Sequence, residues 1–457
     1  MKPALAAATF ALLASTALAQ EAAMPTNGEI SKILADRIDR DGANVGIAVA
    51  VIENGETRFV SHGTLGRDDP APVNEFTPFE AGSITKVFTS LVLAQLALDG
   101  EIDLDAPITD YLPEGTVVPA SDTPITAFDL ATHMSGLTGL PPEITARGLD
   151  NPYSGYTDTQ LLAWLGEQEL ARPVGEGFEY SNVGVALLGE IIEGVTNEPY
   201  AKTVEQRVLF PLAMESSRLA LGAELPEGMA IGHDPAGAVA NYWDFDAVAP
   251  AGALITTAAD LIKFIAAASG ATETEFKPAF DAMLERTRPI GDSGSIGLGW
   301  FITPTGSGEI VWHNGRTGGF SSFAGFERMS GNGVVVLSNM STEQGINDIG
   351  MHLLDPSLPL REQPKPREAV EIDPAILDGY AGDYLLAPGV VMTVTTEDGK
   401  LFAQLTDQPA LEIFPESETA FFYRAVEAQV TFDVVDGQAR SLTLFQNGQH
   451  MPAMRVE

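Results

Sequence analysis

Ser83 and Lys86 stand three residues apart in Gly82-Ser83-Ile84-Thr85-Lys86, just ahead of an apolar run over residues 87–96. On the first turn of a helix that spacing puts a hydroxyl and an amine side by side. Serine is a weak nucleophile at neutral pH and needs a neighbouring proton acceptor. A lysine desolvated in a cleft loses part of its preference for the charged form and can be that acceptor. The helix start also turns unpaired amides outward, where they can hold a developing oxyanion. Two further islands match this chemistry. Tyr180-Ser181-Asn182 precedes a second apolar run over residues 183–192. A phenol of lowered pKa at Tyr180 would pass a proton between Ser83 and a leaving group, and the Asn182 carboxamide would hold a substrate amide. His313-Asn314-Gly315 ends a predicted strand and is followed by Arg316. Gly315 would let an extended substrate approach the strand edge, and the Arg316 amide would complete an oxyanion hole. The pattern is that of acyl transfer. Taken singly, each island also reads as a helix cap with a surface lysine, a capping tyrosine, or a strand histidine.

Four more segments join these islands in order: Gly100-Glu101-Ile102-Asp103-Leu104-Asp105-Ala106-Pro107, Ala131-Thr132-His133-Met134-Ser135-Gly136-Leu137, Ala249-Pro250-Ala251-Gly252 and Gly297-Leu298-Gly299-Trp300. Together they resemble the penicillin-recognising serine hydrolases, a family of class C β-lactamases, D-Ala-D-Ala carboxypeptidases, D-aminopeptidases and related esterases. The resemblance covers most of the first three-quarters of the chain. It implies Ser83 as the acylated nucleophile, Lys86 and Tyr180 as the proton-handling pair, and Asn182 as a ligand of the substrate amide. His313 and Gly315 would form the third wall of the cleft, with Arg316 beside them. It implies no cofactor and no metal. Where class C β-lactamases open the third motif with lysine, this chain has His313, and a neutral imidazole attracts a carboxylate less. The histidine form is similar to that of D-stereospecific peptidases, aminopeptidases and esterases. The implied substrate is a small peptide or amide of D-amino-acid, cell-wall type. A β-lactam or an ester remains an alternative on the same site. A reading of another class is a binding or scaffold protein that kept the fold and lost turnover.

Other chemistries find little support. The absence of cysteine excludes thiol nucleophiles, zinc–thiolate clusters and disulfides. The six histidines are scattered and no His-Glu-x-x-His occurs. His133 reads as structural, at a helix end. With 63 Asp and Glu against 25 Lys and Arg, the net charge is −38, a surface that repels nucleic acid. Lys2, an apolar stretch over residues 4–18 and the small-x-small triplet Ala17-Leu18-Ala19 resemble a secretory signal cut before Gln20. No later stretch is long and apolar enough for a permanent membrane anchor. The chain therefore reads as exported and periplasmic, and no oligomeric state follows from its residues.

The elements that must position the islands follow from periodicity. A helix is predicted over residues 29–40, then two strands within 44–60 turning at Asn54-Gly55. Helices follow over 158–170, 183–194 and 258–268, strands over 310–312, 320–327 and 334–337, and a helix over 344–354. This gives an α/β (α+β) chain, with an antiparallel sheet flanked by helices and an all-helical lobe, of β-lactamase/transpeptidase-like architecture. Prolines at 356, 359, 364, 366 and 374 mark residues 355–376 as a linker. Strands over 390–396, 401–405, 421–424, 430–434 and 442–445, with turns at Asp398-Gly399, Asp436-Gly437 and Asn447-Gly448, resemble a small lipocalin-like barrel. The expected organisation is a signal at 1–19, a hydrolase domain at 20–354, the linker, and the barrel at 377–457.

Overall fold

Asn54 and Gly55 both take positive φ, 54° and 80°, as the two-residue turn of a right-twisted hairpin requires. They join β1 (Gly46–Glu53) to β2 (Glu56–Gly63), with Glu53 opposite Glu56. The computed structural model describes residues 23–456 apart from 149, 223–224, 307, 343–344, 364–368, 388, 407, 425, 427 and 447–448. The expected signal segment and the Asn447-Gly448 turn lie outside the described residues.

Helix α1 (Asn27–Ala35) opens on a capping box between Thr26 and Glu29, which satisfies two amides of its first turn. After β2 come β3 (Phe79–Glu80), α2 (Thr85–Leu98), α3 (Ala127–Ala131), α4 (Pro142–Thr145), α5 (Asp158–Gly166), α6 (Asn182–Thr196) and α7 (Tyr200–Val204). The chain continues through β4 (Arg218–Leu219), α8 (Ala249–Gly252), β5 (Leu254–Thr256), α9 (Ala258–Ser269) and α10 (Lys277–Glu285). It then returns to strand in β6 (Arg288–Pro289), β7 (Ser295–Ile296), β8 (Phe301–Pro304), β9 (Glu309–Arg316), β10 (Ser321–Glu327) and β11 (Gly333–Ser338), before α11 (Asn347–Leu354). The predicted helix over 158–170 stops at Gly166.

The large sheet is antiparallel in the order β2-β1-β11-β10-β9-β8-β7-β6. Alternation along its central strands sorts side chains to two cores. Ala48, Ala50, Val335, Leu337, Ala324 and Val311 join the core that holds α2 and α9. Ile47, Val49, Val334, Val336, Phe323 and Ile310 join the one that holds α1 and α11. Helix α2 is buried from Thr85 to Ala94 on every side, so it is a central helix rather than an amphipathic surface one. It stops where Asp99 and Gly100, at φ 75°, turn the chain out of the helix.

The C-terminal part is a closed eight-stranded meander: β12 (Gly382–Ala387), β13 (Val390–Glu397), β14 (Lys400–Leu405), β15 (Leu411–Pro415), β16 (Ala420–Tyr423), β17 (Ala428–Val435), β18 (Gln438–Gln446) and β19 (Gln449–Arg455). Its interior is filled by Tyr384, Met392, Val394, Leu401, Ile413, Phe421, Phe432 and Leu444, among others. Three of these strands escape the sequence pattern. β12 and β15 are short, and β19 carries Pro452 opposite Thr443, a residue that argues against a strand interior. The start of the expected linker is not free chain. Leu358 and Leu360 pack on the α1–α11 core, and the Arg361 amide donates to Asp348.

Asp348 on α11 also takes Arg37, which follows α1, as a partner at 2.6 Å with both side chains 4% exposed. Removing one member of such a pair leaves a buried charge without compensation. Arg37→Ala is expected to cost about 3–5 kcal/mol, whereas Lys32→Ala, which breaks an exposed pair with Asp36, is expected to leave stability unchanged within error. Tryptophan fluorescence in urea checks this for the part of the chain that ends with α11, because all four tryptophans (Trp164, Trp243, Trp300 and Trp312) precede that helix.

Candidate active site

Ser83 sits in a 3₁₀ turn, Gly82–Ile84, that leads directly into α2. The turn is pinned at both ends. Thr85 Oγ1 donates to the Gly82 carbonyl at 2.7 Å and accepts from the Leu254 amide at 2.9 Å. Ser83 is partly exposed, whereas Lys86 is fully buried. Lys86 Nζ lies 3.0 Å from Ser83 Oγ, 2.8 Å from Asn182 Oδ1 and 2.7 Å from the Ala251 carbonyl. The last two oxygens can only accept. A neutral amine has two N–H donors for them and one lone pair for the Ser83 hydroxyl. Burial favours that form, pushing Lys86 well below the usual lysine range.

Asn182 is the first residue of α6, whose N-cap Ser181 accepts from the Gly184 amide. The Asn182 amide donates to the Gly139 carbonyl at 3.0 Å, and its side-chain Nδ2 donates to Tyr153 Oη at 2.9 Å. That second contact turns Oδ1 toward Lys86. Asn182 is thereby engaged inside the protein, in addition to any role with substrate. Helix α8 supplies the remaining ligand of Lys86 through Ala251 and takes Thr89 of α2 through the Pro250 carbonyl at 2.7 Å. This explains the Ala249-Pro250-Ala251-Gly252 segment. Gly299 explains another, since at φ 71° its backbone lies against Lys86 and Ser90 of α2.

The Tyr180 hydroxyl faces Ser83. With the Ser83 proton directed at Lys86, the phenol would be the donor between them. Burial raises its pKa above the usual tyrosine value, outweighing the pull of Ser83. The expectation of a lowered phenol pKa is therefore wrong. The lysine whose Nζ lies 4.8 Å from the ring centroid does not offset this burial, being itself driven toward its neutral form. Tyr180 is held between two imidazoles, His133 at 4.5 Å and His313 at 6.3 Å between ring centroids. His133, at φ 58°, accepts from the Ser181 amide through Nδ1 at 3.2 Å. It thus fixes the segment that carries Tyr180, which is more than a helix end requires.

His313 is fully buried on β9, with Nδ1 2.5 Å from the Asn314 carbonyl. Nδ1 therefore donates, which leaves Nε2 as a lone pair, and that atom is buried without a partner among the described residues. Burial pushes the imidazole down to about 3, so it is neutral at ordinary pH. Gly315 faces the protein rather than an open cleft. A Cβ there would lie 1.9 Å from the Ala81 carbonyl and 2.5 Å from Ser322 Oγ. Gly82, at φ 51°, meets the Arg316 backbone as closely, since a Cβ there would stand 2.9 Å from its N and O. These two glycines let the β9 backbone dock against the turn that holds Ser83.

β8 pairs with β9 only up to Phe301–Trp312, so residues 313–316 have no β8 partner on that edge. The Thr317 amide donates to the Phe320 carbonyl. Alternation in the ladder then turns the Arg316 amide outward, to the open edge. The Arg316 side chain is exposed and follows the opposite alternation to His313 and Gly315. Tyr153 and Ala251 had no assigned role in the sequence reading. Ala251 lies in a segment that reading singled out, whereas Tyr153 sits in a loop whose sequence carries no signal.

Among the described residues no group of His, Cys, Asp or Glu side chains is placed to hold a metal ion, and no helix is long and apolar enough to cross a membrane. Comparison with known proteins matches residues 32–350 to the β-lactamase family and residues 366–455 to a domain of unknown function, DUF3471. Penicillin-binding protein 4* of Bacillus subtilis is 27% identical over 428 residues, which cover 87% of this chain and 92% of that protein. The octameric penicillin-binding protein homologue from Pyrococcus abyssi superimposes with a TM-score of 0.65 over 93% of this chain and 99% of that one, at 23% identity. A D-stereospecific amidohydrolase from Streptomyces sp. gives 0.59 over 71% of this chain and 98% of its own, at 25% identity. The sheet with its flanking helices is the β-lactamase/transpeptidase-like fold, and with the family model spanning most of its length the chain belongs to the β-lactamase family.

Proposed function

We propose that this protein is an exported serine hydrolase that cleaves amide bonds of small peptides of D-amino-acid or cell-wall type through an acyl-enzyme on Ser83. The observation that carries this reading is the environment of Lys86: a buried amine with two obligate acceptors and one hydroxyl, 3.0 Å from Ser83 Oγ. Lys86 takes the Ser83 proton as Oγ attacks the carbonyl carbon. The amides of Ser83 and Arg316 hold the oxyanion. Tyr180, a neutral phenol, gives its proton to the leaving nitrogen and regains one from Lys86. Water then attacks the ester by the reverse route, with no cofactor and no metal in the scheme.

Substrate class is supported by the neutrality of the cleft. Around Ser83 the described residues are Lys86, driven toward its neutral form, Asn182 and Tyr180, with His133 and His313 packed on the Tyr180 ring, and none of these is a fixed cation to draw in a carboxylate; the Arg316 side chain is exposed. The open β9 edge suits an extended backbone. The likeness to a D-stereospecific amidohydrolase points the same way. Turnover of β-lactams or esters on the same site is the alternative, and an inactive scaffold is the reading of another class.

A fluorophosphonate or a fluorescent penicillin is expected to label the protein at Ser83, and Ser83→Ala to abolish the label. No label with either probe would favour the scaffold. A kinetic panel of D-amino-acid amides, D-Ala-D-Ala peptides, nitrocefin and p-nitrophenyl esters then ranks the substrates, with the amides expected to lead. Because an amine leaves only when protonated and p-nitrophenolate needs no proton, Tyr180→Phe is expected to slow amide cleavage by about 10²–10⁴-fold. The same change is expected to cost ester cleavage about tenfold or less. An equal loss on both substrates would remove Tyr180 from leaving-group protonation.

The sign of the pH dependence follows from Lys86. Its amine must be neutral to accept a proton, so kcat/KM is expected to fall as pH drops through the lowered lysine value. His313 is already neutral above about 3, so a limb set by Lys86 is expected to survive in His313→Gln. A limb that vanished in that variant would point to the imidazole as the base.

A further inference from the structure

Glu80 stands three residues before Ser83 on β3 and is 3% exposed. One oxygen, Oε1, accepts from the Trp243 amide at 2.7 Å. The other, Oε2, has no partner at full hydrogen-bond geometry among the described residues, and neither has the buried Thr317 Oγ1, a hydroxyl still near enough to this carboxyl to pull its pKa down. The two orphan oxygens belong to the two backbone segments proposed to build the oxyanion hole. Glu80 leads through Ala81 and Gly82 to Ser83, and Thr317 follows Arg316. The remaining ties between these segments are uncharged: Ser322 Oγ donates to the Ala81 carbonyl at 2.7 Å, and Gly82 and Gly315 supply the close backbone contacts.

We propose that Glu80 is a positioning residue for the oxyanion hole, working as the neutral acid that bridges to Thr317. This rests on the acyl-transfer reading above. As an acid, Oε2–H donates to Thr317 Oγ1 and joins the two segments without adding charge. As a carboxylate, Oε2 can still accept from Thr317, but it places a negative charge behind two amides that must stabilise another. The two forms therefore differ in rate rather than in fold.

The surroundings favour the acid. Tyr242 is the titratable side chain that feels this charge, and its own phenol is raised by it, after burial. Trp243 offers a backbone amide. Arg218 lies across the small sheet, two strands away beyond Ile255, and is exposed. Arg316 is exposed. No cation among the described residues is paired with this carboxyl, and burial pushes it up to about 7, against the pull of Thr317 and Trp243. A carboxyl raised in the folded state adds stability that is fully present below its unfolded value of 4.5 and is lost as pH rises toward 7.

The test is the rate of fluorophosphonate labelling of the full chain as a function of pH, in wild type, Glu80→Gln and Thr317→Val. Glutamine keeps the shape and cannot ionise. The ratio of Glu80→Gln to wild-type rate is expected to rise about tenfold between about pH 6 and pH 8.5, since every other ionisation cancels in it. Thr317→Val removes the hydroxyl that favours the carboxylate, so its alkaline limb is expected to move to higher pH. That arm decides the matter even if Glu80→Gln fails to fold. A ratio flat with pH, or a Thr317→Val limb that stays in place, would overturn the role of Glu80 while leaving Ser83 as the nucleophile. A wild type that takes no label would remove the acyl-transfer reading and this one with it.

Discussion

A lysine amine removed from water and surrounded by two carbonyl oxygens and one serine hydroxyl is the constraint around which this molecule is arranged. Transferring an ammonium into such a site is costly, and the carbonyls of Asn182 and Ala251 do not balance its charge. The amine is therefore driven toward the neutral form, and the stereochemistry of its contacts directs the lone pair at Ser83. Each contact comes from a different part of the chain: the 3₁₀ turn ahead of α2, the start of α6, and α8. On the proposed reading, the helical lobe must be assembled before Ser83 has a base, so catalytic competence and tertiary packing are one event in this fold.

The second dependence is of backbone on backbone. Ser83 belongs to the helical half and the open edge of β9 to the sheet, and nothing longer than a hydrogen fits between them at residues 82 and 315. Side chains there would push the strand away from the nucleophile by the width of a methyl group, more than an oxyanion hole tolerates. Glycine serves here to fix a distance rather than to give flexibility. The same docking leaves Glu80 and Thr317 facing each other behind the join, where a hydroxyl–carboxyl pair can adjust what the glycines have set.

Much of this was legible in the residues. The Ser83–Lys86 spacing, the Tyr180-Ser181-Asn182 cap and the His313 strand are local patterns, and local geometry places them as read. What escaped depended on neighbours distant in sequence. The raised pKa of Tyr180 follows from its own burial, a property of the assembled core and not of the segment that carries it. The true neighbour of Gly315 is the Ala81 carbonyl, more than two hundred residues away. Tyr153 is recruited by the position of Asn182, and its loop shows no periodicity to mark it. In the barrel, β12 and β19 are held chiefly by closure on each other and on adjoining strands, so alternation within either is too brief to announce it.

The charge of the molecule and the neutrality of its cleft belong together. A chain of net charge −38 surrounds the site with a field that repels anions and that salt screens only beyond about 10 Å. A cleft with a fixed cation would work against this field by capturing carboxylates at close range. Here the candidate lysine position is filled by a buried neutral imidazole, and the nearby arginine is exposed. On the proposed reading, recognition at such a site comes from hydrogen bonds along the β9 edge and from the aromatic rings of Phe178, Tyr180 and Phe301. An uncharged or amine-bearing acyl donor meets no penalty on approach, whereas a substrate that needs its carboxylate held meets a negative surface first and no anchor afterwards. On the proposed reading, selectivity for peptide amides over anionic antibiotics is thus set as much by the absence of a cation at residue 313 as by any contact the site makes.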